Sequence, residues 1–424
     1  LHPRVRRQRQ MCIRDSFCTE EELDKVRAKQ EEDKVLTGYY GEYATCRNLS
    51  YEEIEANIKA GKPYVLRLRS QGSPDKEITF VDAIKGEIKL PENIHDIVLL
   101  KKDGIPTYHF AHAIDDHLMR TTTVVRGGEW LASAPIHYEL FHLLGFKMPA
   151  YAHTAHLMKF DEETGGKRKL SKRKDPELSL DYYRKDGYHP YTMKVYLLTL
   201  LNSNFEEWHE KFPDKDINEF PFSVEKMNQS GALFDKDKLH NICKNELSKL
   251  SEEELYDFLY DWAKENEPEN VEKWFGDREK MLQILRLYMG VGAKRRRKDL
   301  MYAKQIFELI SYFFDGESAE EMDEFKLDED MVSKILKSYL AKYDHNDDNS
   351  VWFNKLKEIA DEHGFASDMK AYKANPENFK GNVSDIAEAV RIAVTGRANT
   401  PDLWTIVHIM GEEQMTERIK KHIK

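Results

Sequence analysis

Between Ile94 and Phe160 the chain alternates two kinds of segment, and this alternation constrains the fold more than any other feature of the sequence. Ile97-Val-Leu-Leu100 is a continuous apolar run, the pattern of a strand buried on both faces. Asp103-Gly104 marks a turn, and Pro106 suits the first turn of a helix. Thr121-Thr-Thr-Val-Val125 is β-branched throughout and is broken by Gly127-Gly128. Leu140, Leu143 and Leu144 fall on one helical face, with Gly145 as the stop. Tyr151 to Phe160 reads as one further strand. Strand and helix in alternation imply a parallel sheet in an α/β domain, here about half of a doubly wound one, which needs an earlier βαβ half.

The flanks read differently. Upstream, Thr19 and Glu22 form a capping-box pattern ahead of a helix, while Tyr64–Arg69 and Ile78–Val81 read as short strands. Downstream of Ser248 the chain turns helical. Ser251 and Glu254 form a second capping box, followed by Leu255, Phe258, Leu259 and Trp262 at i, i+3, i+4, i+7 spacing. Met331, Ile335, Leu336 and Leu340 repeat that pattern, as do Trp352, Leu356 and Ile359, with Gly364 ending their helix. The fold class expected is therefore α/β followed by all-α.

Composition narrows the class of function without choosing it. No run approaches the ~18 consecutive apolar residues of a spanning helix, and four cysteines (Cys12, Cys18, Cys46, Cys243) give no disulfide framework, so no membrane partner is expected and the reducing cytoplasm is the expected compartment. The net charge is −11, but the first sixteen residues carry five arginines against one aspartate, which leaves −15 for the rest. An acidic protein still binds nucleic acid where lysines and arginines cluster. Residues 1–16 lack apolar periodicity and are read as an extraneous or disordered leader, with the fold starting at Phe17.

Generic nucleotide motifs fail. There is no GxxxxGK[ST], and Gly290-Val-Gly292 lacks a third glycine and a preceding strand. Asp344, Asn346 and Asp348 imitate the opening of a calcium loop, but Asn349 and Lys355 stand where that loop needs Gly and Glu, so a solvated inter-helix loop is the reading. The segment Thr164–Lys174 is different: six cations and two hydroxyls on a glycine-softened loop after an apolar strand suit a polyphosphate. A solvated basic loop is the plainer account. The order Lys169-Leu-Ser-Lys-Arg173, some forty residues after Val-Val-Arg126-Gly-Gly-Glu129-Trp130, favours the first.

Taken together, Asp103–Met119 (DGIPTYHFAHAIDDHLM), Val124–His137 (VVRGGEWLASAPIH), Lys169–Arg173 (KLSKR), Phe222–Leu239 and Val390–Gly411 resemble the glutamyl-tRNA synthetases of the bacterial type, class I aminoacyl-tRNA synthetases. The resemblance runs from about residue 17 to 424. It implies an acceptor-binding insertion over 17–93, the second half of a Rossmann-like catalytic domain over 94–160, a KMSKS-type loop and stem-contact region over 161–248, and a helical anticodon-binding domain over 249–424. It also implies ATP-dependent attachment of glutamate to tRNA(Glu) through glutamyl-adenylate, with ATP, Mg²⁺, glutamate and tRNA(Glu) as partners and a monomeric enzyme.

Carried over residue by residue, Lys169, Ser171 and Lys172 match the loop that contacts ATP phosphates, with both lysines catalytic. Tyr108, Arg126, Glu129 and Trp130 match positions at the amino-acid pocket, where Arg126 would hold the side-chain carboxylate. An arginine ending a strand at its carboxyl edge fits that role, since ligands bind there and a guanidinium takes a carboxylate bidentately. His112 stands where many relatives carry a small polar or apolar residue. The run Lys294–Lys298, with Arg295, Arg296 and Arg297, is read as a tRNA contact or a solvated helix face. Arg391 and Arg397, flanking Gly396, are candidate anticodon-arm contacts.

Two departures stand out. The family's HIGH-type sequence is absent, no His-x-Gly-His occurring here, and the first βαβ half with its amino-acid contacts is missing, so the chain is read as lacking that half site and as inactive alone. Some relatives hold zinc with C-x-C…Y…C. Cys18 and Cys46 match the later cysteines and Tyr43 or Tyr40 the tyrosine, but the earlier cysteine falls at Ser16. Two thiolates argue against a closed site of four ligands. Cys243 is read as core. The alternatives are a glutaminyl-tRNA synthetase, which usually carries β-barrels in place of C-terminal helices, and a non-catalytic tRNA-binding fragment.

Overall fold

The computed structural model describes residues 12–161, 163–314 and 322–424. Packing divides the chain into two compact units. One is built from the chain up to Leu170 together with Leu198–Phe234, the other from Ser171–Leu197 together with Asp235–Lys424.

Among the described residues the first unit contains ten strands in three sheets: β1 (Ile13–Ser16), β2 (Val65–Leu68), β3 (Glu77–Asp82), β4 (Gly86–Pro91), β5 (Val98–Leu100), β6 (Thr123–Gly127), β7 (Ala150–Thr154), β8 (Leu157–Phe160), β9 (Lys167–Lys169) and β10 (Ala232–Leu233). The sheet β4-β3-β7-β6 carries the expected parallel pairing, with β6 parallel to β7 over five residues and β3 parallel to β7 at Asp82 and Tyr151. Along β3 exposed and buried residues alternate, turning Ile78, Phe80 and Asp82 inward.

Several expectations are corrected here. The run at Val98–Leu100 does not join the parallel sheet; it pairs antiparallel with β2 in the sheet β1-β2-β5. A continuous apolar run reports burial, and strand partners are chosen by non-local pairing that the run itself does not encode. The segment Tyr151–Phe160 forms two strands, β7 and β8, that enter different sheets. Pro106 precedes the helix Tyr108–Leu118 and its N-cap Thr107, whose hydroxyl donates instead to the Val98 carbonyl at 2.6 Å. The fold also begins before Phe17. Ile13 pairs with Leu68 and Ser16 with Val65, and Ile13 packs on the cluster of Leu68, Leu99, Leu140 and Phe141. Of the supposed leader, residues 1–11 lie outside the described residues.

The helix Ala134–Leu144 ties this unit together, stopped as expected by Gly145 in the left-handed region (φ 69°). Leu140 and Phe141 are 2% and 1% exposed, each burial stabilising by about 1.5–3 kcal/mol. From the same helix Glu139 accepts hydrogen bonds from the Gln71 amide at 2.7 Å, the Asn93 side chain at 2.7 Å and the Ser70 hydroxyl at 2.9 Å. One carboxylate thus latches the helix to both ends of the β3–β4 hairpin.

The second unit is helical in its described C-terminal part, around a core that includes Leu255, Leu259, Ile335, Leu336, Leu356, Ile359, Ile386 and Val407. The Ser251–Glu254 capping box forms, and Gly364 caps its helix at φ 81°. The acidic stretch before Asn349–His363 has a definite job: Asp348 is the N-cap, accepting from the Val351 amide at 2.9 Å. Asp347 pairs with Lys355. Cys243 is fully buried, in keeping with a core position. Among the described residues no helix is long and apolar enough to cross a membrane.

Candidate functional site

Parallel pairing of β6 with β7 sets Arg126 opposite His153 near the carboxyl ends of both strands. The two side chains therefore share a face. Arg126 donates from Nε to His153 Nε2 at 2.9 Å, and its Nη1 lies 3.1 Å from His137 Nδ1. The guanidinium also stacks over the Tyr151 ring, 4.7 Å from its centroid. Behind His153, Asp82 at the end of β3 takes its Nδ1 at 2.6 Å and further accepts from the backbone amides of Ile84 and Lys85. Both Asp82 and His153 side chains are fully buried. Desolvation alone would raise the Asp82 carboxyl; hydrogen bonds from Lys85, His153 and Ile84 outweigh it and hold the group below its ordinary value.

Tyr108 and Trp130 form one wall, their ring centroids 4.5 Å apart, with Tyr108 half exposed. His112 is engaged at both nitrogens: Nδ1 lies 2.6 Å from Asp116 and Nε2 2.7 Å from the Tyr151 hydroxyl. Burial lowers the pKa of His109, His112 and His153, and pushes His137 down to about 2.

The turn after Arg126 points Glu129 towards a second group. Its Oε2 is 3.4 Å from His156 Nδ1 and 3.9 Å from Lys169 Nζ. Gly127 makes room for this carboxylate, since a Cβ there would lie 2.2 Å from Glu129 Oε2. Lys169 reaches the place because the glycine-softened segment is a hairpin: β9 pairs antiparallel with β8, placing Lys169 opposite Met158. Within the second unit the motif continues as a turn. Ser171 donates from its amide to the Asp175 carboxylate at 2.7 Å, its hydroxyl receives the Arg173 amide at 3.4 Å, and Lys172 is exposed.

The family described as "tRNA synthetases class I (E and Q), catalytic domain" matches residues 14–241, and "Anticodon binding domain" matches 254–423. The glutamate–tRNA ligase of Acetivibrio thermocellus is 52% identical over 407 residues, which span 96% of this chain and 74% of that protein. The chain belongs to the bacterial-type class I glutamyl-tRNA synthetases. The glutamate–tRNA ligase of Clostridium perfringens is 46% identical over 412 residues, again 96% of this chain and 74% of the relative. Among solved structures, a glutamate–tRNA ligase from Elizabethkingia meningosepticum in complex with its amino acid superposes with a TM-score of 0.73 at 25% identity, over 99% of this chain and 81% of that one. The glutamate–tRNA synthetase of Elizabethkingia anophelis gives 0.71 at 26% identity, with the same coverage of both chains.

In a glutamyl-tRNA synthetase the thiol cluster invites a test for zinc. Cys18 and Cys46 do meet, Sγ to Sγ at 3.3 Å. The tyrosine beside them is neither of those expected: Tyr39 places its hydroxyl 3.2 Å from Cys18 Sγ and accepts from the Cys46 amide at 2.8 Å. Tyr43 instead donates to Asp33 and Tyr40 to the Leu36 carbonyl. The hydrogen bond between the thiols lowers Cys18 to about 5 and raises Cys46. With the Thr45 hydroxyl 3.1 Å and the Ser16 hydroxyl 3.6 Å from Cys18 Sγ, the set is two sulfurs and three hydroxyls, which does not fit zinc. Among the described residues no group of three His, Cys, Asp or Glu could hold a metal ion.

The cationic candidates of this synthetase separate. Arg295 and Arg296 are exposed on an irregular loop, not a helix face, while Arg297 pairs with Asp299 at 2.5 Å. Arg295 and Arg297 line a cavity of about 750 Å³ together with Arg286, Thr405 and His408. Arg391 and Arg397 are otherwise employed. Arg391 Nη1 donates to the Ala398 carbonyl at 3.3 Å and Arg397 Nη2 to the Glu308 carbonyl, so each is tied to backbone near the Gly396 turn. Sequence reasoning missed Asp82, His137, His153 and Asp175. A histidine and an acid placed at strand ends of an apolar sheet were the available signal for the first and third.

Proposed function

We propose that the chain performs the chemistry of a glutamate–tRNA ligase. Glutamate's α-carboxylate attacks the α-phosphorus of ATP; an acyl–phosphate bond forms, a phosphoanhydride bond breaks, and pyrophosphate leaves. The terminal adenosine hydroxyl of tRNA(Glu) then takes the acyl group and AMP departs. In this reading Arg126 holds the substrate's side-chain carboxylate, and Tyr108 and Trp130 wall the pocket. Lys169, Ser171 and Lys172 receive the phosphates of ATP, which enters as its magnesium complex, and neutralise charge as it develops there. Arg295, Arg296 and Arg297 meet tRNA phosphates.

The observation that carries this reading is the placement of Lys169 3.9 Å from Glu129, on the turn that follows Arg126, so that a phosphate-seeking lysine and a carboxylate-seeking arginine flank one rim. A charging assay with glutamate, ATP and tRNA(Glu) tests it, with Arg126→Ala and Lys169→Ala as controls. Each substitution is expected to lower charging at least 100-fold, and Arg126→Ala chiefly through glutamate. The second reading is a tRNA-binding chain that does not charge. Filter binding to tRNA beside the charging assay separates the two: binding without product supports the second.

A further inference from the structure

The charged group at this rim is not held by acids. Its direct partners are two imidazoles, and the geometry fixes the protonation of each. A guanidinium offers only donors, so the nitrogens facing it, His153 Nε2 and His137 Nδ1, must present lone pairs. His153 then carries its proton on Nδ1 and gives it to Asp82 at 2.6 Å. His137 carries its proton on Nε2, 2.9 Å from His109 Nδ1, which accepts it. The chain Asp82–His153–Arg126–His137–His109 is thereby a run of hydrogen bonds with one direction at every link. It engages Nε and one Nη hydrogen of the arginine. The remaining Nη hydrogens have only a long contact, 3.5 Å, from Nη2 to the Trp130 carbonyl.

We propose that His137 and His153 are positioning residues for Arg126: two neutral imidazoles whose lone pairs set the guanidinium at the sheet rim for glutamate capture. The proposal rests on the reading of Arg126 as the side-chain carboxylate ligand. Adding a proton to either ring places a donor against a donor and a second positive charge about 3 Å from the first. Nothing nearby offsets this at His137, which faces Arg126 from β6, His109 and His112 from the helix Tyr108–Leu118, and Tyr151 and His153 from β7, with Tyr108 at the edge. Asp116 is held by His112. His153 faces Arg126, the Asp82 carboxylate and, from the β3–β4 turn, Lys85. Burial opposes the charged form of both rings.

Imidazole ¹H–¹⁵N spectra of the full chain test the brace directly, with His137→Gln and His153→Gln supplying the assignments. The expected result is the Nε2–H form for His137 and the Nδ1–H form for His153, both unprotonated from pH 7.5 to 5.5. The opposite form, or a protonated ring at pH 7, overturns the proposal. Glutamate binding by calorimetry over the same range gives the functional arm, and it should stay level for the wild-type chain because both rings stay neutral there. His153→Ala should weaken binding at least tenfold at pH 7.5. His153→Gln, whose amide can accept from Arg126 and donate to Asp82, should restore it to within about threefold. If His153→Gln binds as poorly as His153→Ala while both keep native circular dichroism, the imidazole acts as packing and the proposal fails. Wild-type chain that binds no glutamate at any pH removes the carboxylate reading of Arg126, a failure visible separately because the tautomer spectra do not depend on glutamate.

Discussion

His137 has no exposed surface and sits between a guanidinium and further imidazoles, so burial first, and then the neighbouring charges, hold its folded pKa near 2 against an unfolded value of about 6.5. Below pH 6.5 the unfolded chain binds a proton that the folded chain refuses. The contribution is therefore fully present above pH 6.5 and is lost as pH falls, at about 1.4 kcal/mol per unit. Urea unfolding at pH 7.5 and 5.5 should show the native chain losing roughly 1 kcal/mol more than His137→Gln; equal losses would mean that the ring is protonated in the fold. At this scale the sequence made Arg126 and Lys169 legible because each belongs to a short motif with its own spacing. It did not make Asp82 or His153 legible, since their partnership joins residues 71 positions apart through strand register alone. Tyr39 was passed over for Tyr40 and Tyr43 for a related reason: neighbouring tyrosines look alike until backbone geometry decides which hydroxyl turns to the sulfurs.

Secondary-structure elements whose ends are written locally were legible to the residue. The Thr19–Glu22 and Ser251–Glu254 capping boxes and the Gly145 and Gly364 stops all stand where the sequence placed them. Elements defined by distant partners were not: β5 and β8 carry apolar runs indistinguishable from those of the parallel sheet, yet pair elsewhere. The stretch Asp344–Asp348 lies between these cases. Its acids suggest cation binding, while the structure uses them on the helix Asn349–His363. Replacing Asp348 by Ala should cost about 1 kcal/mol in urea unfolding, the usual worth of an N-cap side chain. Millimolar calcium should leave the midpoint of the native chain where it was; a rise that Asp348→Ala abolishes would restore the metal reading.

For the molecule as a whole, the family boundaries at 241 and 254 lie close to the change from mixed to helical composition, and that change was visible in periodicity alone. What periodicity could not reveal is that packing regroups the chain, assigning Ser171–Leu197 to the later helices and Leu198–Phe234 to the earlier sheets. Association with tRNA is a property of this larger scale, because an acidic chain must meet phosphates through a local cluster. Changing Arg295, Arg296 and Arg297 together to Gln should weaken tRNA binding and make the plot of log affinity against log salt shallower by about 2–3, for three phosphate contacts at roughly 0.7–0.9 each. An unchanged slope would place the loop outside the interface.

The helix Ala134–Leu144 holds His137 against Arg126 and, two residues on, Glu139 against Ser70, Gln71 and Asn93. A helix of eleven residues is too stiff to yield at one of these points without moving the other. The rim and the base of the hairpin are thus fastened to one and the same helix.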